Sequence, residues 1–181
     1  MQVREKAGQS LTEPVTAAEM ITYLGLDTLS TDETTIMQAM ITAARKYLED
    51  YTAKSVLSKS YEVRFYTEDK IGDYYELPFS PVTSITSVEV SGTAIDYDEK
   101  GQDRIYIRPQ SSIITNATTD EAYLDCEFVA GATDYMANVA VKRIVSDMWD
   151  NRKDNLPNSP AAGLRWETLN YIETLSNNTE L

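Results

Sequence analysis

Ser30-Thr31-Asp32-Glu33-Thr34-Thr35-Ile36-Met37-Gln38-Ala39-Met40-Ile41-Thr42-Ala43-Ala44-Arg45-Lys46-Tyr47-Leu48-Glu49-Asp50-Tyr51-Thr52 carries the clearest pattern in the chain. Ser30 and Glu33 form a capping box, in which the hydroxyl takes the amide three residues on and the carboxylate reaches back. Ile36, Met37, Met40, Ile41, Ala44, Tyr47, Leu48 and Tyr51 then recur at steps of three and four, which predicts one apolar stripe on a long helix. Gln38, Thr42, Arg45, Lys46 and Glu49 fall on the other side. From residue 31 to 52 such a helix is roughly 33 Å long at 1.5 Å per residue. Most of the stripe reads as core; its ends, rich in Met and Tyr, are candidates to meet a partner chain.

Before this helix, Thr16-Ala17-Ala18-Glu19 repeats the capping signature and opens a short helix to about Leu24, which Gly25 closes in a left-handed turn. Residues 1–13 are polar and patternless and read as a flexible arm. After it the period changes to two. Tyr61, Val63 and Phe65 alternate with Glu62 and Arg64, and Ile105 and Ile107 with Tyr106 and Arg108. Tyr75–Phe79, Ser84–Val90 and Tyr123–Val129 are further short strands, divided by Ile71-Gly72-Asp73, Ser80-Pro81, Ser91-Gly92 and Lys100-Gly101. Helical spacing returns with Val141, Ile144, Val145, Met148 and Trp149, opposite Lys142, Arg143, Ser146, Asp147 and Asp150, with Asp134 as a cap. A last helix over about 161–175 carries Leu164, Leu169, Ile172 and Leu175. The fold expected is α+β, mainly helical with about four helices and an inserted small antiparallel β lobe. As domains, this is an arm (1–13), one domain (14–176: helices 14–57, β lobe 58–133, C-terminal helices 134–176) and a frayed tail (177–181).

The composition excludes several chemistries. The 181 residues include no histidine and one cysteine. Ser-His-Asp and Cys-His relays are therefore unavailable, and neither an internal disulfide nor a structural zinc site is expected. Net charge is −13, which opposes gripping a phosphate backbone but not a polyanion sliding past. Between 5 bases and 8 acids in 1–57, 6 and 14 in 58–133, and 5 and 7 in 134–181, the acidity belongs to the β lobe. Its carboxylates, Glu68, Asp69, Asp73, Asp96, Asp98, Glu99 and Asp103, are either a solvated surface or an acidic wall facing something that must not stick. No apolar run approaches the roughly 20 residues of a membrane span, and the N-terminus shows no secretory signal, so synthesis in a reducing cytoplasm is expected.

Individual motifs point to no active site. Asp96-Tyr97-Asp98-Glu99-Lys100-Gly101 opens like a calcium loop but puts Lys100 at position five and Ile107 where a bidentate glutamate belongs; a hairpin turn is expected. Glycine-rich phosphate loops are absent. Cys126, in period with Leu124 and Phe128, reads as an inert buried thiol. Asn116-Ala117-Thr118 fits a glycosylation acceptor that nothing routes to a secretory pathway. Catalytic residues, metal ligands and cofactors are expected to be none. An acid–base hydrolase built on two β-lobe carboxylates is a rival reading, requiring a cleft and a raised carboxyl pKa. An unrelated acidic adaptor domain is another.

Four stretches, in order, resemble a known family. They are Glu13-Pro14-Val15-Thr16-Ala17-Ala18-Glu19-Met20-Ile21-Thr22-Tyr23-Leu24; Asp32-Glu33 through Ala43-Ala44-Arg45-Lys46-Tyr47-Leu48-Glu49-Asp50-Tyr51-Thr52; Leu77-Pro78-Phe79-Ser80-Pro81-Val82-Thr83-Ser84-Ile85-Thr86-Ser87-Val88; and Ala130-Gly131 leading into a helix that closes with Trp149-Asp150-Asn151-Arg152. Over roughly 13–155 the chain is similar to the head–tail connector (adaptor, head-completion) proteins of tailed double-stranded DNA bacteriophages. It departs from them in lacking a proline near the start of the closing helix and in its long β lobe. The resemblance implies a non-enzymatic virion protein at the portal vertex, assembled in the host cytoplasm. It implies a ring, usually of twelve copies, that binds the portal protein and the next neck or tail component (stopper or tail hub). The ring extends the DNA channel, and double-stranded DNA passes through its lumen without specific binding; no membrane is involved. Met37, Met40, Tyr47, Tyr51, Trp149, Arg152, Trp166 and Tyr171 are the candidate subunit or portal contacts, Trp166 being equally readable as a cover on the core.

Overall fold

The computed structural model describes residues 1–9, 11–102, 104–110, 123–132, 134–151 and 164–177. Among the described residues, four α-helices and two antiparallel sheets make an α+β protein. The chain divides into two compact units, one of residues 1–11 and 57–132, the other of 12–56 and 133–181.

The second unit is helical. Helix α1 (Ala17–Leu24) and helix α2 (Thr31–Thr52) both start at complete capping boxes, on Thr16/Glu19 and Ser30/Glu33, and Gly25 ends α1 at φ 63°. Each box satisfies amides that the first turn leaves without partners. Helix α3 (Tyr135–Asn151) begins where the Asp134 carboxylate accepts the Ala137 amide at 2.6 Å. Helix α4 spans Trp166–Asn177, so it starts later than the spacing suggested; residues 161–163 lie outside the described set. Helix α2 packs against α3 and α4. Met20, Met37, Ile41, Ala44 and Leu48 form one core with Ala140, Val141, Ile144, Val145, Trp149 and Ile172.

The first unit is β-rich. Strands β1 (Gln2–Glu5), β2 (Lys59–Phe65), β8 (Leu124–Ala130), β4 (Val82–Val90) and β5 (Thr93–Ala94) lie in that order in one sheet. The other sheet runs β3 (Tyr75–Glu76), β7 (Tyr106–Pro109), β6 (Tyr97–Lys100). Strict alternation buries Tyr61, Val63 and Phe65 on β2 and Leu124, Cys126 and Phe128 on β8. Tyr75 and Ile107 from the smaller sheet, and Leu77 just after β3, join the same core. Tyr61 stacks on both Phe79 (4.6 Å between centroids) and Phe128 (5.5 Å).

Three sequence expectations give way. Residues 2–5, read as part of a flexible arm, are an edge strand paired to β2 with Val3 opposite Val63. Tyr97–Lys100, read as a hairpin turn, is a strand whose carboxylate Asp98 pairs with Arg108 across the ladder. The turn itself lies at Gly101, where φ is 107° and an added Cβ would sit 1.9 Å from the Arg104 carbonyl oxygen. Only Tyr75–Glu76 of the stretch 75–79 is strand.

Candidate assembly surfaces

Helix α2 carries two apolar stripes rather than one. Met37, Ile41, Ala44 and Leu48 are buried, whereas Ile36, Tyr47 and Tyr51 remain 48%, 39% and 44% exposed. A helix turns 100° per residue, so positions 36, 40, 43, 47 and 51 stand about one residue's rotation from 37, 41, 44 and 48. Met40 is half-buried between the two, and Ala43 is exposed. Tyr47 and Tyr51 stack at 6.2 Å. The result is an aromatic and aliphatic row roughly 22 Å long from residue 36 to 51, open to solvent in this chain.

The other proposed contact residues separate by burial. Met37 and Trp149 are core side chains with 0% and 5% exposure, so neither offers a surface, contrary to the expectation. Trp166, by contrast, is 71% exposed at the start of α4. Tyr171 is half-buried: its hydroxyl lies 3.2 Å from the Met136 sulfur, and the Arg143 guanidinium sits 4.4 Å above its ring. Arg152 lies outside the described residues. Exposed Tyr23, Tyr135 and Met136 were not singled out from sequence. Ile36 and Ala43 were recoverable, because the offset row 36-40-43-47-51 is itself at helical spacing.

Three polar residues assigned to solvent-facing helix sides are buried instead. Arg45 donates to both oxygens of Glu13 (2.8 and 3.1 Å) and to Glu49 at 2.6 Å. Glu49 also accepts the Val56 amide at 2.9 Å. Burial opposes the Arg45 charge, but the two carboxylates prevail and its pKa rises. Asp147, 2% exposed, accepts the Arg165 amide at 2.9 Å while the Arg165 side chain reaches Asp150 at 2.6 Å. These contacts hold the start of α4 against the end of α3. The Arg45–Glu49 spacing of four was visible in sequence; the long-range partner Glu13 was not.

The acidic candidates do not make a uniform wall. Asp69 accepts the N-terminal ammonium (2.7 Å) and the Tyr66 amide (2.8 Å); burial pushes its pKa up, but these contacts outweigh it and hold the carboxyl below its usual value. Asp98 is held low by Arg108 and Gln110. Asp73 faces Lys70 at 3.5 Å. Glu68, Asp96 and Glu99 are exposed and make no ion pair among the described residues, and Asp103 lies outside them.

The outward face of the larger sheet is a charged ladder over a shallow cavity of about 430 Å³, lined by Arg4, Glu62, Arg64, Glu89, Asp125 and Glu127 among others. Arg64 binds Asp125 in bidentate fashion (2.8 and 2.9 Å) and lies 3.7 Å over the Tyr123 ring. Glu62 pairs with Arg4, and Glu127 with Lys6 at 2.9 Å. Glu19, Asp69 and Asp98 are each held below their ordinary values, the opposite of the raised carboxyl that the hydrolase reading required. Beneath this face Cys126 is buried, which with Glu127 nearby pushes its thiol up to about 12. Among the described residues no cluster of three His, Cys, Asp or Glu is arranged to hold a metal, and no helix is long and apolar enough to cross a membrane.

No family model matches the chain, and no curated protein does. Solved structures do. A chain in "Virion of native gene transfer agent (GTA) particle" is similar with a TM-score of 0.69 and 20% identity, over 96% of this chain and 94% of that one. A chain in "Neck of empty GTA particle computed with C6 symmetry" is similar to the same degree. A third, in "Neck of native GTA particle computed with C12 symmetry", gives 0.62 and 18% identity over the same shares. At such identities the likeness is one of fold, and it extends over nearly the whole chain.

Proposed function

We propose that this chain is a structural neck protein of a tailed, phage-like particle, forming a ring beneath the portal that joins capsid to tail and extends the DNA channel. The observation that carries the reading is the fold likeness over 96% of the chain to chains in neck structures of such a particle. The four connector-like stretches, in order, support it from the sequence. The twelvefold symmetry named for one neck structure fits a ring of twelve copies, with the portal protein on one side and the next neck component on the other.

A ring of identical subunits needs two different faces that match head to tail and close on rotation. The open row of α2 suits one of them, being long, straight and apolar beside polar flanks. A specific neighbour contact buries about 1,600 Å² in total, so this row is one part of a larger surface. Trp166, fully formed on a helix and largely solvent-exposed, suits docking to the portal. The uncompensated Glu68, Asp96 and Glu99 suit a lumen that repels phosphates over a Debye length of about 8 Å, letting DNA pass without adhering.

Reconstruction of intact particles carrying a tagged version of this chain tests the reading. Density for the tag at the neck, in a ring adjoining the portal, is the expected result. Density elsewhere in the particle, or a compact dimer as the end state with no binding to the cognate portal, overturns it.

A further inference from the structure

Strand β1 is attached to its sheet in an unusual way. All four of its residues are exposed, and Val3 takes no part in the unit's core. Its hold is the β2 ladder and a set of charges. Arg4 pairs with Glu62, Lys6 reaches Glu127 at 2.9 Å and Glu62 at 3.8 Å, and the N-terminal ammonium reaches Asp69 at 2.7 Å. Beyond the strand, the Lys6 amide donates to the Ser60 carbonyl at 3.0 Å, and Gln9 exchanges two hydrogen bonds with the Ser60 backbone.

The edge that β1 covers is matched to it charge by charge: Lys59 faces Glu5 at 3.6 Å, and Glu62 meets Arg4 and Lys6. Glu62 and Glu127 stand directly opposite one another in the β2–β8 register, and like charges so placed repel. Cations from an added strand relieve that repulsion. Yet no hairpin joins β1 to β2: the chain leaves the unit after Leu11, builds 12–56 into the other unit and returns at Leu57. Leu11 and Thr12 are exposed, while Glu13 is fixed to Arg45. Opening the chain at exposed Leu11 and Thr12 therefore frees the strand without breaking either core. Because every copy has the same edge and the same strand, an exchange preserves every contact of the strand.

We infer that in the assembled ring residues 1–9 of each copy pair with β2 of the neighbouring copy, so that the ring is closed by exchanged strands whose Arg4 and Lys6 meet Glu62 and Glu127 of the neighbour's sheet. This rests on the ring assembly proposed above. In a ring the neighbour's strand is held at high effective concentration, and exchange converts an intramolecular clasp into a link between subunits.

Gln2 and Arg64 face each other in the β1–β2 register, a spacing that a disulfide spans. Copies carrying Gln2→Cys and copies carrying Arg64→Cys are mixed in equal amounts, assembled on the cognate portal and oxidised; buried Cys126 stays out of the reaction. Exchange yields covalent dimers at about a quarter of neighbour contacts, the random share of correctly ordered pairs. The double variant Gln2→Cys/Arg64→Cys, oxidised before assembly, is expected to close within one chain and then to assemble at least tenfold less well. Rings that form normally from the mixture yet give no covalent dimers, or that form normally from the pre-oxidised double variant, overturn the exchange while leaving the ring intact. Failure of the unmodified protein to form rings on the portal overturns the ring reading and the exchange with it.

Discussion

Burial decides the chemistry of individual side chains here. Cys126 is enclosed by the β-unit core and its thiol is pushed up to about 12, so at pH 8 its thiolate fraction is about a thousandfold below that of a free cysteine near 8.5. A disulfide-exchange reagent is expected to leave it untouched in the folded protein and to titrate one thiol on denaturation; prompt reaction in the native state contradicts this. Arg45 makes the opposite case, a charge kept inside by two carboxylates. Arg45→Met removes the cation that Glu13 and Glu49 share. Because Glu13 stays 29% exposed, the expected loss lies at the low end for a broken buried pair, about 3 kcal/mol in urea unfolding. Restoring stability with Arg45→Met/Glu49→Gln, which removes the charge but keeps an oxygen for the Val56 amide, identifies the Glu49 charge as the cause. The burial of Cys126 was legible from its period with Leu124 and Phe128, whereas that of Arg45 was not. A helical wheel sorts residues by polarity, and only the position of Glu13, 32 residues away, reveals that a polar side faces protein.

At the level of elements, the capping boxes were legible because their logic is local: a hydroxyl, a carboxylate three residues on, and an apolar run after them. Ser30→Ala is expected to destabilise the helical unit by about 1 kcal/mol, read from denaturant midpoints. The Glu19 carboxyl is held below its ordinary value of 4.5 by the Thr16 amide and hydroxyl. A depressed carboxyl contributes stability above its unfolded pKa and loses it as pH falls through the lower folded value. Amide exchange at Thr16 should thus stay slow at pH 5.5 and, corrected for intrinsic rates, quicken only as pH drops well under 4.5; an onset at or above 4.5 contradicts the box. Strands β2 and β8 were legible from alternation, since each buries one face. Strand β1 buries neither, so it carries no period of two, and β6 reads as a loop because Asp98 finds Arg108 only once the ladder has formed. Edge strands held by cross-strand pairs rather than burial leave little trace in one sequence.

For the whole molecule, the division between core and open stripe on α2 sets the side chains that folding buries apart from those the proposed ring has left to use. The sequence joined Met37, Tyr47 and Tyr51 in a single stripe because each is apolar at helical spacing, and it placed both Trp149 and Trp166 among the candidate contacts. Only the placement of α3 and α4, which cover one side of α2 and leave the other bare, tells them apart. Substitutions divide accordingly. Met37→Ala removes a side chain with no exposed surface and is expected to lower unfolding free energy by about 2–5 kcal/mol. Tyr47→Glu/Tyr51→Glu alters side chains roughly two-fifths exposed, so its stability should stay within about 1 kcal/mol of the parent while charge now lines the row. If that row meets a neighbouring copy, the double variant remains a folded monomer by circular dichroism and light scattering yet fails to form rings on the portal. Trp166→Ala, acting at the exposed start of α4, serves as the independent probe of docking: portal binding should weaken at least tenfold without change in melting temperature. Deleting α4 is the poorer experiment, since it takes Ile172 out of the core and confounds docking with unfolding. Normal rings from the Tyr47→Glu/Tyr51→Glu protein show that the row faces solvent in the assembly and that subunits meet elsewhere.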